Sequence, residues 1–168
     1  MLVSFAINAQ VREVPLKDFF KNPEKTGYQI SPDGNYFSFL APWESRLNIF
    51  VQKIGDNDAV RITSAKERDI TFYFWKGNNK IMYLQDKAGD ENFKLYSVNK
   101  DGSDLKLLTP EDKVRAGIVD DLEDIDDYML ISTNERNPQA FDVYRLNVNT
   151  GERKMIAENP GMTTFQDG

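Results

Sequence analysis

Ile30-Ser31-Pro32-Asp33-Gly34-Asn35-Tyr36-Phe37-Ser38-Phe39-Leu40 sets a tight turn directly before a short, aromatic-rich apolar run. Pro32 presets φ for the first central turn position, and Gly34 takes a positive φ at no steric cost. The run that follows is short and β-prone, so the stretch reads as strand, turn, strand. The same plan returns near Lys80 and again near Tyr128. A chain of repeated β-meanders is expected.

Working outward from that turn, the sequence falls into three registers of four strands each. The first has Tyr28 to Ile30, Tyr36 to Ala41, Leu47 to Ile54 and Ala59 to Thr63. The second has Thr71 to Trp75, Lys80 to Gln85, Phe93 to Asn99 and Leu105 to Thr109. The third has Val114 to Val119, Tyr128 to Thr133, Phe141 to Val148 and Arg153 to Ala157. Asn48-Ile49-Phe50-Val51 aligns with Lys94-Leu95-Tyr96-Ser97 and Asp142-Val143-Tyr144-Arg145, at spacings of 46 and 48. The hairpins between third and fourth strands carry Gly55, Gly102 and Gly151, as tight turns require. A period of about 45 residues with four short strands is the signature of a propeller blade.

The side-chain pattern agrees with the spacing. The second strands, such as Ile81-Met82-Tyr83-Leu84, are apolar on both faces, and such a strand must be covered on both faces. A blade between two others has that environment. Fourth strands such as Val60-Arg61-Ile62-Thr63 alternate, as suits an outer rim. A plain β-sandwich, with alternation in most strands, is the second choice. The expected fold is all-β, a partial β-propeller of about three four-stranded antiparallel blades plus the start of a fourth.

The expected blades are residues 28–66, 67–112 and 113–160, with 161–168 opening the next at Met162 to Gln166. Residues 11–27 form a lead-in, with a helical turn started by Pro15, faced by Leu16, Phe19 and Phe20 and stopped at Asn22-Pro23. Residues 1–10 resemble the tail of a secretory signal, with a small residue, Ala9, before a plausible cut. Export is expected on that basis, against an ordinary N-terminal strand. Three blades do not close a ring, because propellers usually have about 4 to 8. The chain is therefore expected to be the N-terminal part of something larger, with bare blade faces that drive self-association.

Composition narrows the chemistry. The chain has 168 residues and a net charge of −6, which offers no basic surface to nucleic acid. Residues 111 to 127 hold eight acids against Lys113 and Arg115, so the whole deficit sits in one segment. There is no histidine and no cysteine. A Ser-His-Asp triad, a thiolate metal site and a cysteine nucleophile are thus all impossible within the chain. No apolar run approaches the ~20 residues of a membrane span.

The chain resembles the N-terminal β-propeller of the prolyl oligopeptidase family of serine peptidases, especially exported bacterial acylaminoacyl-peptidase and dipeptidyl-peptidase-like members. Leu16-Lys17-Asp18-Phe19-Phe20, Gln29-Ile30-Ser31-Pro32-Asp33-Gly34, Arg68-Asp69-Ile70 with Tyr73-Phe74-Trp75, Tyr83-Leu84-Gln85-Asp86 with Gly89-Asp90-Glu91-Asn92, and Phe141-Asp142-Val143-Tyr144-Arg145 carry the resemblance, in that order. It implies a propeller that restricts a peptidase to short peptides, seated on an α/β-hydrolase domain with a Gly-x-Ser-x-Gly elbow. That elbow and its histidine are absent from this sequence, so no catalytic residue carries over and no cofactor is implied. The runner-up is a non-enzymatic propeller of the TolB kind, which scaffolds protein partners at the cell envelope and shares Ser-Pro-Asp-Gly.

The candidate substrate-binding residues are Asp90, Glu91 and Arg136. The resemblance suggests Asp90-Glu91 as propeller acids for a peptide ammonium, against a solvated loop as the simpler reading. Arg136 either meets a peptide carboxylate or pairs with a neighbouring acid, and the second is favoured. The run Asp120-Asp121-Leu122-Glu123-Asp124-Ile125-Asp126-Asp127 has oxygen ligands for a hard cation but lacks the glycine and terminal glutamate of a calcium loop. It reads as a charged turn, and no metal site is expected. Trp43 and Trp75 read as packing aromatics, and Ser31 and Ser103 as turn residues.

Overall fold

A computed structural model describes residues 15–16, 24–110 and 113–161. These form twelve strands in three four-stranded sheets, each an antiparallel meander in chain order. The first sheet holds β1 (Thr26–Ile30), β2 (Tyr36–Trp43), β3 (Arg46–Lys53) and β4 (Ala59–Arg61). The second holds β5 (Tyr73–Lys76), β6 (Lys80–Gln85), β7 (Lys94–Asn99) and β8 (Lys106–Leu107). The third holds β9 (Ala116–Asp120), β10 (Tyr128–Asn137), β11 (Ala140–Asn147) and β12 (Arg153–Ala157). The partial β-propeller expected from the repeat is the observed fold. The N-terminal export segment and the start of a fourth blade lie outside the described residues, and of the lead-in turn only Pro15 and Leu16 are within them.

The Pro-Asp-Gly turn is held by its own side chains. Gly34 N–H donates to the Ser31 carbonyl at 2.8 Å, with Gly34 at φ +69°. The Ser31 hydroxyl donates to Asp33 Oδ1 at 2.6 Å and accepts the Tyr36 N–H at 2.9 Å. Asn35 N–H closes an Asx turn on Asp33 at 3.1 Å. Ser31 is buried and fully engaged, which makes it a structural residue.

Two cores lie between the three sheets. Leu40, Ile49, Val51 and Ile62 of the first sheet pack with Ile70 and with Tyr73, Trp75, Ile81, Tyr83 and Val98 of the second. Met82, Leu95 and Leu108 pack with Met129, Ile131, Tyr144, Leu146 and Val148 of the third. Successive residues of a strand face opposite ways, so β6 sends Ile81 and Tyr83 into one core and Met82 into the other. Ile81 and Met82 are both wholly buried. Each contributes roughly 1.5–3 kcal/mol through burial.

Polar bonds also cross between sheets. Trp75 Nε1 donates to Ser38 Oγ at 2.9 Å, and Tyr73 Oη donates to the Gly27 carbonyl at 2.6 Å. Arg153 Nη1 donates to the Leu108 carbonyl at 2.9 Å. The β9–β10 loop, which carries the acidic run, docks on the second sheet through Lys76. That ammonium donates to the carbonyls of Asp121 and Leu122, and burial holds its pKa below the ordinary value.

The structure departs from the expected strands most at β4, β8 and β10. β4 and β8 are shorter, because Thr63 and Thr109 use hydroxyls where a ladder carbonyl would serve. Ile49 N–H donates to Thr63 Oγ1 at 2.9 Å, and Leu95 N–H donates to Thr109 Oγ1 at 3.1 Å. Ile62 and Thr63 thus stay buried beyond the end of β4, and the expected outer-rim alternation is replaced. β10 is longer, running through Asn137 into a hairpin that pairs Asn137 with Ala140. Phe37 and Phe39 face away from the second sheet, stacked with Tyr28 and Phe50 at centroid distances of 5.5 to 6.3 Å. Ser38 and Leu40 are the β2 residues turned toward the second sheet.

Candidate functional site

In a meander, the loops after second strands and after fourth strands emerge at one end of the sheet. Asp90 and Glu91 lie between β6 and β7, and Arg136 ends β10, so all three emerge at that end. Two adjoining clefts of about 250 and 390 Å³ open there between the first and second sheets, sharing Glu67, Arg68, Gln85 and Asp86.

The organiser of these clefts is a pair that sequence reasoning did not single out. Asp86 is buried at 8% exposure and takes Arg68 Nε at 3.2 Å and the Glu91 N–H at 3.3 Å. Gln85 Nε2 donates to the Arg68 carbonyl at 3.0 Å. Asp69 Oδ1 accepts the Leu47 N–H at 2.8 Å, and Ile70 N–H donates to the Leu47 carbonyl at 3.0 Å. Arg68-Asp69-Ile70, Gln85-Asp86 and Gly89-Asp90-Glu91-Asn92 are separate in sequence and meet at this place. Their order in the sequence was the available signal, and only the fold shows that they converge.

Each proposed binding residue has a definite setting. Asp90 is occupied by its own loop, with Oδ1 accepting the N–H groups of Asn92 at 3.0 Å and Lys87 at 3.3 Å. The Asn92 N–H, as the largest cause, holds the Asp90 pKa below the usual carboxylate value. Glu91 has φ +57° and an exposed side chain, and its carboxylate has no partner among the described residues. Of the two acids, Glu91 is the one free to meet a cation.

Arg136 is engaged at several points. Its Nε donates to Asp142 Oδ2 at 2.7 Å and its Nη2 to Asp142 Oδ1 at 2.9 Å. It also donates to the Asn159 carbonyl at 2.8 Å and pairs with Glu158 at 3.3 Å. Asp142 is wholly buried, and the Arg136 guanidinium lowers its pKa while the carboxylate raises that of Arg136. A bidentate pair of this kind is strongly directional. The structure does not bring Arg136 into the Arg68–Asp86 clefts.

Trp75 is buried in the first core, and Trp43 lies beneath Arg61 at 3.8 Å and near Lys66 at 5.2 Å. Among the described residues no group of three or more acidic, histidine or cysteine side chains could hold a metal. No helix among them is long and apolar enough to cross a membrane.

These arrangements define a propeller segment with a polar rim of loops. No family model matches the chain. It is 33% identical over 142 residues to dipeptidyl aminopeptidase BIII of Pseudoxanthomonas mexicana, covering 83% of this chain and 21% of that protein. It is 26% identical over 174 residues to dipeptidyl peptidase family member 6 of Caenorhabditis elegans, covering 98% of this chain and 23% of that protein. The chain thus spans less than a quarter of the length of these relatives. The propeller domain of the Trilobed protease from Pyrococcus furiosus superposes with a TM-score of 0.58 at 18% identity, over 80% of this chain and 44% of that one. A TolB-like protein from Agrobacterium tumefaciens superposes with a TM-score of 0.55 at 15% identity, over 80% and 50%. Both structures share the fold. The chain is a β-propeller segment related to the propellers of the prolyl oligopeptidase family of serine peptidases.

Proposed function

We propose that this chain is the substrate-gating propeller portion of an exported serine peptidase that cleaves short peptides, with the chemistry supplied by an α/β-hydrolase domain. The observation that carries this is the 33% identity to a dipeptidyl aminopeptidase across most of the chain. The segment contributes walls and loop ends, with Glu91 as the free carboxylate at the rim. It has no imidazole to activate a serine. The test is a dipeptide-releasing assay on the 168-residue chain and on the same chain joined to a hydrolase domain of the relative. Release only by the joined protein supports the reading. Release by the chain alone, or by neither with both folded, overturns it.

A second reading is a propeller scaffold without peptidase activity, favoured by the TolB-like superposition. A hydrolase-free ring that captures envelope proteins would support it. The aromatic face of Tyr28, Phe37 and Phe50, packed over the buried Phe39, is a candidate surface for self-association, which sedimentation at rising concentration would register.

A further inference from the structure

Asn48 is wholly buried near the start of β3, and both halves of its amide are fully used. Nδ2 donates to the Arg46 carbonyl at 3.1 Å and to the Ala65 carbonyl at 3.0 Å. Oδ1 accepts the Thr63 hydroxyl at 3.0 Å and the Ala65 N–H at 2.7 Å. One side chain thus holds both backbone groups of Ala65, where the chain leaves the first sheet for the second. Its neighbour Leu47 holds the same connection further along, at Asp69 Oδ1 and the Ile70 N–H. Lys66, Glu67 and Arg68 bend between these two feet as a short arch. From that arch Arg68 reaches Asp86, which also accepts the Glu91 N–H. Glu67 and Arg68 line both clefts, Ala65 lines one of them, and Asn48 lines neither.

The third sheet repeats this hold with different chemistry. Asp142 aligns with Asn48 and is also wholly buried. Asn159 lies 17 residues beyond Asp142, as Ala65 lies 17 beyond Asn48. Asp142 Oδ1 accepts the Asn159 N–H at 2.7 Å, and Arg136 Nη2 donates to the Asn159 carbonyl at 2.8 Å. An ionised carboxylate has no donor, so the guanidinium supplies the half of the amide that Asp142 lacks. In the second sheet the aligned residue is Lys94, also buried, and its ammonium donates to the Val114 carbonyl. Three chemically unlike side chains at one register position each grip the connection leaving their own sheet.

We propose that Asn48 is a positioning residue for the Arg68–Asp86 clefts, setting the arch that carries Arg68 without touching what the clefts bind. Arg136 and Asp142 together fasten the exit of the third sheet in the same way, which gives Arg136 a task other than meeting a ligand. This goes beyond the peptide reading and holds for any occupant of the clefts.

The test follows backbone amides and the Arg68 Nε–H by NMR in the full chain. In Asn48→Ala the Ala65 amide should exchange roughly tenfold faster, as expected when a buried hydrogen bond is lost. The Arg68 Nε–H resonance should shift as its contact with Asp86 loosens. Ser38→Ala is the control, because it weakens the first core and touches neither foot of the arch, so the Arg68 resonance should stay in place. The third sheet supplies a second arm, which decides alone should Asn48→Ala fail to fold. Arg136→Leu should speed exchange of the Asn159 amide. Adding Asp142→Asn should slow it again, because one amide can then hold both backbone groups of Asn159. An Arg68 resonance unmoved in Asn48→Ala overturns the proposal, as does Asn159 exchange no slower in the double variant than in Arg136→Leu. No peptide is cleaved or bound in this test, so its failure leaves the peptidase reading standing, and failure of the peptidase assay leaves this result standing.

Discussion

Trp75 in the second sheet donates its indole N–H to Ser38 Oγ in the first at 2.9 Å, and both residues are buried. This bond runs through the first core and links adjacent sheets. Ser38→Ala would leave the indole donor buried and unpaired, a change that costs about 1–3 kcal/mol. Urea unfolding of the variant should show a lower midpoint with an unchanged slope. A midpoint equal to the parent would show that the bond does not contribute.

Ser97 presents the opposite case. Its hydroxyl is wholly buried and has no hydrogen-bond partner. Ser97→Ala removes the unsatisfied group with little change in volume, so stability should rise by about 1 kcal/mol. Thermal unfolding measures this directly, and a fall in midpoint would contradict it.

Asp33 links the first hairpin to pH. Hydrogen bonds from Ser31 and Asn35 hold its pKa down at about 2. An unfolded aspartate titrates near ~3.9. The contribution of this turn is therefore complete above that unfolded value and is lost as pH falls through about 2. Ser31→Ala should raise the Asp33 pKa toward the unfolded value, as read from its side-chain carbonyl resonance across an acid titration. An unmoved pKa would refute the hydrogen-bond account.

Arg136→Leu would strand the buried Asp142 carboxylate, whose second anchor is the Asn159 N–H at 2.7 Å. Without the guanidinium the Asp142 pKa should rise, so the variant should lose its third sheet at a higher pH than the parent. Circular dichroism across an acid titration tests this. Asp142→Asn in the Arg136→Leu background should recover part of the loss, because a neutral amide is less costly to bury than an unpaired charge.

The sheet plan was legible because its signals are local. β6 and β12 have the strand limits expected from the sequence, at Lys80–Gln85 and Arg153–Ala157. Gly34, Gly55, Gly102 and Gly151 all take the positive φ their turns require. Harder to read were places where a side chain replaces the backbone in a ladder, as Thr63 does for β4. Nothing in Val60-Arg61-Ile62-Thr63 announces that a hydroxyl will end the strand two residues early. The sites were less legible still. Arg136 paired with Asp142 six residues on, a short-range contact that could be anticipated. Arg68, in the connection from the first sheet to the second, meets Asp86 just past the end of β6, eighteen residues on, and that meeting depends on how the connection lies against the second sheet. The acidic run read as a charged turn, and nothing in it announces that the backbone carbonyls of Asp121 and Leu122 will seat the Lys76 ammonium, with the carboxylates of Asp121, Asp126 and Asp120 attracting the same charge.

The alternation of Ile81 and Met82 along β6 has a consequence for motion. Each of the two cores ends on this strand, so neither can loosen without releasing one side of it. The first and third sheets can detach separately, while the second opens only when both have done so. Its amide hydrogens, above all those of β6 and β7, should be the slowest to exchange with solvent. The assembly would then melt from its ends inward, like a stack of cards lifted one at a time from either side.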